Sequence, residues 1–319
     1  MWLRRRLGCA GVARLRIIEA VRAELADVDS PDQVAPGWNE QQLAAFCVSA
    51  RLEDIARHVR GRGDAGQLAR IAWWGSALAD LGPGTDAARL EALEIGAAFN
   101  LAVALFDTAI DEAPIPRLAL VEALAPQRLA QRLKTPGDDN ARLRSEHAAA
   151  ACVVHLFDRA LALAGVRHAG EPQRTERLCA MLDAMYRSVL GQGADPFVAK
   201  TGPVMFIGEV AAGGDVVRAR PLYAALAHLC QVWDDALDIA EDLTALAPNH
   251  FLGKGRGIDV ATTVAYLARG LARVSAGAVA HGHIERELGA ALAATLEAAH
   301  AWHPLSHARS LQLCRTLLN

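Results

Sequence analysis

Apolar residues recur at three- and four-residue steps along most of this chain. The first such stretch, 15–28, reads LRIIEAVRAELADV, and the same step governs 40–60, 66–81, 86–111, 117–133, 141–164, 174–190, 218–246, 259–279 and 283–301. That spacing places apolar side chains on one face of an α-helix. Ala, Leu, Arg, Glu and Gln fill these stretches, and all are good helix formers. Alternation of β-branched residues is nearly absent, so no sheet is predicted. Turn chemistry separates the stretches: GPGTD at 82–86, EAPIPR at 112–117, KTPGDDN at 134–140, AGEPQ at 169–173, GQGADP at 191–196, TGP at 201–203, AAGGD at 211–215 and APNHFLGKGRG at 247–257. Pro114 and Pro116 set a helix end just past Asp111. There is no repeat of fixed period and no linker long enough to divide the chain. The expected fold is all-α, a single large antiparallel helical bundle over residues 1–319. That length exceeds the usual single-core limit of about 250–300 residues.

Composition narrows the function classes. Hydrophobic residues make up 52% of the 319 and charged residues 22%, which supplies a core and excludes disorder. Lys and Arg total 33 against 36 Asp and Glu, so the chain lacks the basic excess of a nucleic-acid binder. No uninterrupted apolar run reaches the ~18 residues that span a bilayer, and no stable membrane insertion is expected. The start, Met-Trp-Leu-Arg-Arg-Arg-Leu, looks like a signal n-region, but Arg14, Arg16 and Glu19 interrupt the apolar stretch after it. Cysteines at 9, 47, 152, 179, 230 and 314 form no CxxC and no zinc spacing with His, and they read as small buried hydrophobes. A reducing, cytoplasmic location is the matching expectation.

Two acidic clusters lie inside otherwise apolar helices. In the first, Asp107 and Asp111 stand four apart and share one helix face, after the uncharged run AAFNLAVALF. A helix that is apolar nearly all round is buried, so these carboxylates face a cavity or bear a heavy desolvation cost. They also sit at the negative end of the helix dipole. A bound cation resolves both problems. The second cluster, CQVWDDALD at 230–238, carries Asp234, Asp235 and Asp238, and Glu241 and Asp242 extend the stripe. Hard oxygen ligands from two facing helices suit Mg²⁺, which takes one or two carboxylates together with substrate phosphates. An acidic pair at helical spacing is more often a solvated face, but two clusters that each follow a long apolar run do not fit that reading.

These residues give the chain a resemblance to the trans-isoprenyl diphosphate synthases and the class I terpene synthases, the polyprenyl synthetase-like group. The group's second signature reads roughly FQxxDDxxD, and Gln231, Asp234, Asp235 and Asp238 match it. Its first reads DDxxD; DTAID at 107–111 keeps Asp107 and Asp111 and puts Thr108 in place of the second Asp. Gly191-Gln192 and Lys200-Thr201 resemble its GQ and KT elements, with a shortened spacer. Gly253-Lys254-Gly255-Arg256-Gly257-Ile258-Asp259 resembles its GKxxGxD loop. The likeness runs from about residue 60 to about 270.

The resemblance implies the isoprenoid synthase fold, with a central apolar cavity. It implies that Asp107, Asp111, Asp234, Asp235 and Asp238 hold Mg²⁺, three ions, bridged to an allylic prenyl diphosphate. Lys200 and Lys254 would neutralise that diphosphate, Gln231 and Thr201 would line the cavity near it, and Gln192 and Arg117 are further substrate-binding candidates. Arg187 is a further candidate for sensing the diphosphate. Phe106, Phe197 and Trp233 are candidates for shielding a carbocation, and core packing is their plainer role. The small Ala102 and Val103 before the first motif would leave the cavity deep. A homodimer is implied by the resemblance alone, with Trp73-Trp74 as a packing or dimer surface.

The departures fall on one side. Chain-elongating members bind isopentenyl diphosphate through a basic GGKRxRP segment and an Arg-Arg pair after the first motif. Here the upstream region is HVRGRGDAGQLAR at 58–70, and Pro116-Arg117 keeps only the second Arg of the pair. Losing cationic contacts costs affinity for a small diphosphate. The expected activity is therefore that of a class I terpene synthase, which ionises one prenyl diphosphate and then cyclises or quenches the cation. A chain-elongating prenyltransferase is the alternative. A non-catalytic partner subunit of a prenyl synthase is the second, and the full set Asp234, Asp235 and Asp238 argues against it.

Overall fold

The computed structural model describes residues 36–58, 65–82, 86–112, 117–135, 147–193, 195, 197–245, 249–250 and 276–317. Within these, the side chains of 58, 86, 111–112, 237–245, 276–285 and 317 lie outside the description. The expected helix at 15–28, most of the one at 259–279, and Lys254 also lie outside it.

The described residues are mostly α-helical, with one short 3₁₀ turn and no strand among them. The helices are α1 (Glu40–Ser49), α2 (Leu52–His58), α3 (Ala65–Ala79), α4 (Asp86–Glu112), α5 (Arg117–Ala123), α6 (Pro126–Lys134), α7 (Ala148–Arg167), α8 (Pro172–Val189), α9 (Val198–Ala211), α10 (Val216–Ala245), α11 (Ala276–Trp302) and α12 (Pro304–Leu317). The stretch expected as one helix over 40–60 breaks at Arg51, which adopts the left-handed φ of 56°. The stretch over 117–133 breaks before Pro126, which opens α6 where its missing N–H has no consequence. TGP at 201–203 is no break: α9 runs through Pro203. The sequence pattern also left α12 unmarked.

The core is organised around α4, which packs on α3, α7 and α9. Phe99 stacks on Phe206 of α9 with ring centroids 3.9 Å apart, and meets Phe157 of α7 edge-on at 5.8 Å. Phe106 lies further along between Phe157 and Tyr186 of α8. Phe106 and Trp233 are thus core residues. Where α3 meets α4, Gly75 faces Gly96, and a Cβ on either would overlap the other's carbonyl oxygen. Two glycines let these backbones touch. Asn100, one turn along α4, donates from Nδ2 to the Ile71 carbonyl at 2.8 Å. On α9, Gly208 leaves room for the Tyr223 ring.

Asp80, fully buried at the end of α3, ties distant segments together. It accepts from Arg89 Nη2 at 2.7 Å and from the Gly37 amide at 2.8 Å, and pairs with Arg309 Nη1 at 3.1 Å. By length and hydropathy, Ala87–Ile110 and Ala148–Arg167 could each cross a membrane; 78% and 56% of their apolar windows are buried in the fold. They satisfy that test on average hydropathy, although no unbroken apolar run does.

The turn from α7 into α8 carries a small polar cluster. His168 Nδ1 lies 3.0 Å from Glu171 Oε1 and 3.0 Å from Arg174 Nη1. Burial lowers the His168 pKa below the ordinary 6.5; the Glu171 hydrogen bond opposes this, and Arg174 and Arg167 reinforce it. A depressed histidine contributes stability that is present above its unfolded pKa and lost as pH falls through the folded one. The melting temperature should therefore drop as pH falls below 6.5, the ordinary value for His. His168→Asn should flatten that slope in a pH series of thermal melts. Gly96→Ala should separate α3 from α4 and cost about 1–3 kcal/mol, read as a lower midpoint in urea unfolding.

Candidate active site

Three helices converge beside the glycine contact, and a fourth, α10, brings acids to the same place. On α4, Asn100, Val103, Ala104 and Asp107 follow helical spacing and share a face. They line one cavity with Ile71, Trp74 and Leu78 of α3, Ala199, Lys200, Pro203 and Val204 of α9, and Cys230 and Asp234 of α10. Its volume is about 70 Å³. Asp107, Lys200 and Asp234 bring charge to a wall that is otherwise mostly apolar.

The charges are arranged around Lys200. Its ammonium lies 2.7 Å from Asp234 Oδ2 and 2.5 Å from Asp235 Oδ1. The lysine side chain is 13% exposed, and those of Asp234 and Asp235 are 6% and 0% exposed. Burial disfavours the ammonium, but the two carboxylates outweigh burial and hold its pKa above the ordinary lysine range. The two acids differ in their other bonds. Asp235 Oδ2 accepts the His250 amide at 2.7 Å, and the Asp235 carbonyl accepts Asn249 Nδ2 at 2.7 Å. His250 Nε2 lies 3.6 Å from Glu287 Oε2 of α11, so this short segment is held between α10 and α11. Asp234 Oδ2 is buried with the ammonium near it but not aligned as a hydrogen-bond donor. Cys230 is a neutral thiol: burial raises its pKa, and Cys314 and Asp234 raise it further.

The residues singled out in the sequence divide clearly. Asp107, Lys200 and Asp234 line the cavity. Asp235 joins them through Lys200 alone. Asp111 and Asp238 lie on α4 and α10, one turn beyond Asp107 and Asp234, with side chains outside the description. Thr108 is buried and donates to the Ala104 carbonyl at 2.6 Å, so its hydroxyl serves the helix backbone. Lys200 and Thr201 stand in the first turn of α9 and not in a loop; Thr201 Oγ1 donates to the Phe197 carbonyl at 3.1 Å. Gln231 is buried on α10 but does not line the cavity. Gln192 is exposed in the turn after α8. Arg187 is exposed and paired with Asp183 at 2.9 Å, and Arg117 is exposed at the start of α5. Of the two small residues before the first motif, Val103 reaches the cavity and Ala102 is packed elsewhere.

Trp74 and Asn100 are cavity residues that the sequence pattern did not identify. Asn100 had a signal, since it is the polar residue in an apolar run and stands seven before Asp107. Trp74 had none beyond its place on α3. Asn249 also went unmarked.

Among the described residues, no group of three or more His, Cys, Asp or Glu side chains gathers as a metal site. The donors present are carboxylates on facing helices, with one Asp234 oxygen beside the Lys200 ammonium. That set fits Mg²⁺ bound together with a phosphate-bearing ligand, because Mg²⁺ keeps waters and takes only one or two carboxylates. It does not fit a metal cage made wholly of protein. Comparison of the chain with protein-family models, with curated proteins and with solved structures finds no match in any of the three.

Proposed function

We propose that this chain is a class I terpene synthase with the isoprenoid synthase fold, which ionises an allylic prenyl diphosphate. The observation that carries the reading is one cavity where Asp107, Asp234 and Lys200 meet from three helices against an apolar wall. Few other chemistries need hard anionic ligands, a fixed ammonium and an apolar chamber together. Asp107 and Asp234 would hold the metal, with Asp111 and Asp238 one turn further along the same helices. Bound Mg²⁺ would supply charge neutralisation to the diphosphate as its C–O bond breaks. Lys200 would turn its ammonium to the departing diphosphate and stabilise charge that develops there. Lys254 belongs to the same role in the family pattern.

The wall accounts for the rest. Val103, Ala104, Leu78 and Val204 offer no base and no nucleophile, so they keep water from the cation. Trp74 offers a π face that stabilises positive charge. Cys230 is a neutral thiol and does not compete as a nucleophile. The cavity of about 70 Å³ is smaller than the roughly 300–1,000 Å³ of ordinary ligand sites. A prenyl tail would therefore enter only as the cavity widens.

Purified protein with Mg²⁺ should release pyrophosphate from geranyl, farnesyl or geranylgeranyl diphosphate without isopentenyl diphosphate, giving hydrocarbon or alcohol. Asp107→Asn and Asp234→Asn should each lower that release by about 10²-fold or more, the scale of losing one charge-stabilising group. Release that occurs only with isopentenyl diphosphate would convert the reading to chain elongation. Full release by both variants would overturn it.

A further inference from the structure

Lys200 and Asp234 form a contact that the proposed chemistry has to break. The ammonium lies where a cation bound to Asp234 would sit, 2.7 Å from Oδ2. It reaches Asp235 as well, at 2.5 Å. Both carboxylates are buried, and buried charge needs a counter-charge close by. With no metal, the lysine is that counter-charge. With a metal on Asp234, it becomes a second cation within reach of the same oxygens, and like charges at that range repel strongly in buried surroundings.

Asp235 cannot take up the strain. Its second oxygen is bonded to the His250 amide, and its carbonyl to Asn249. Asp234 has the oxygen without an aligned donor. The exchangeable position is therefore on Asp234, and the fixed one is on Asp235.

We infer that Lys200 is the resting occupant of the cation seat at Asp234, so that a divalent metal ion settles there only when an anionic ligand draws the ammonium away. This rests on the reading of Asp234 as a metal ligand. A diphosphate supplies the anion: it offers Lys200 a new partner and frees Asp234 in the same step. Metal and diphosphate then bind with positive coupling, each raising the affinity of the other. Asp235 is a positioning residue in this scheme. It keeps the lysine stem against α10 and the 249–250 segment in place.

The test is a titration of the full chain with Mg²⁺ alone, read by calorimetry, and with Mn²⁺ alone, read by electron paramagnetic resonance. The wild type should bind weakly. Lys200→Met should bind at least about tenfold more tightly, although it loses a group needed for pyrophosphate release. Lys200→Gln, which keeps a hydrogen-bond donor for Asp235, should gain similarly and covers the case in which the methionine variant does not fold. Lys200→Arg, which keeps the charge, should gain nothing. Adding Asp234→Asn to Lys200→Gln should abolish the gain. In thermal melts, Lys200→Gln should melt below wild type in chelator, and Mg²⁺ should restore it; Mg²⁺ alone should leave wild type unmoved. Equal metal affinity in wild type and Lys200→Gln would overturn the inference, as would a gain that survives Asp234→Asn. Those results are independent of turnover: a wild type that releases pyrophosphate yet shows no such gain keeps the proposed function and loses the lock.

Discussion

The contact between Gly75 and Gly96 sets the distance between α3 and α4, and the site depends on that distance. With no side chain between them, the two backbones come close enough for Asn100 to reach the Ile71 carbonyl one turn later. Alongside these contacts the helix faces carry larger groups, Trp74 and Leu78 on α3 and Val103 and Asp107 on α4. The space those groups leave is the cavity. Packing in a protein interior is as dense as in an organic crystal, so a cavity at this point is built by side-chain size and not by slack. The aromatic stack of Phe99 on Phe206 then fixes α9 against α4 and brings Lys200 to the cavity wall.

Charge inside this fold is handled in two different ways. Around Asp80, two arginines and a backbone amide surround one carboxylate, and each comes from a different segment. Around Lys200 the count is reversed, with one ammonium shared by two carboxylates. The first arrangement holds distant segments together. The second keeps one acid oxygen without an aligned donor. Buried ion pairs add little net stability over apolar packing, so such an arrangement points to function more than to strength.

How much of this was legible in the sequence depended on which force decided each element. Strongly periodic stretches came out nearly whole: α4 spans Asp86–Glu112 against an expected 86–111. The all-α class was legible for the same reason. α9 was not, because Gly202 and Pro203 look like breakers. Burial of Val204, Phe206 and Ile207 overrides them, and a proline near a helix start removes a single backbone bond. In the site, Asp107 and Asp234 stood out because an acid inside an apolar run is costly. Trp74 did not, since with Trp73 it reads as a packing or dimer surface until its neighbours are known. The division between Asp234 and Asp235 was also illegible. Adjacent residues on a helix point about 100° apart, and which one meets the Asn249–His250 segment depends on a return of the chain that local pattern does not encode.

Asp80 has a consequence for how the chain is made. Its partner Arg309 lies 229 positions further along, and Arg309 also binds the Asp80 and Gly82 carbonyls. A chain emerging from the ribosome carries Arg89 soon after Asp80, but the second arginine appears only with α12. Until then α3 and α4 can pair, yet the carboxylate at their junction lacks part of its surroundings. Contacts of such long sequence separation form late, because loop closure must come first. The full set of partners around this one buried acid is therefore present only after α12 has been made.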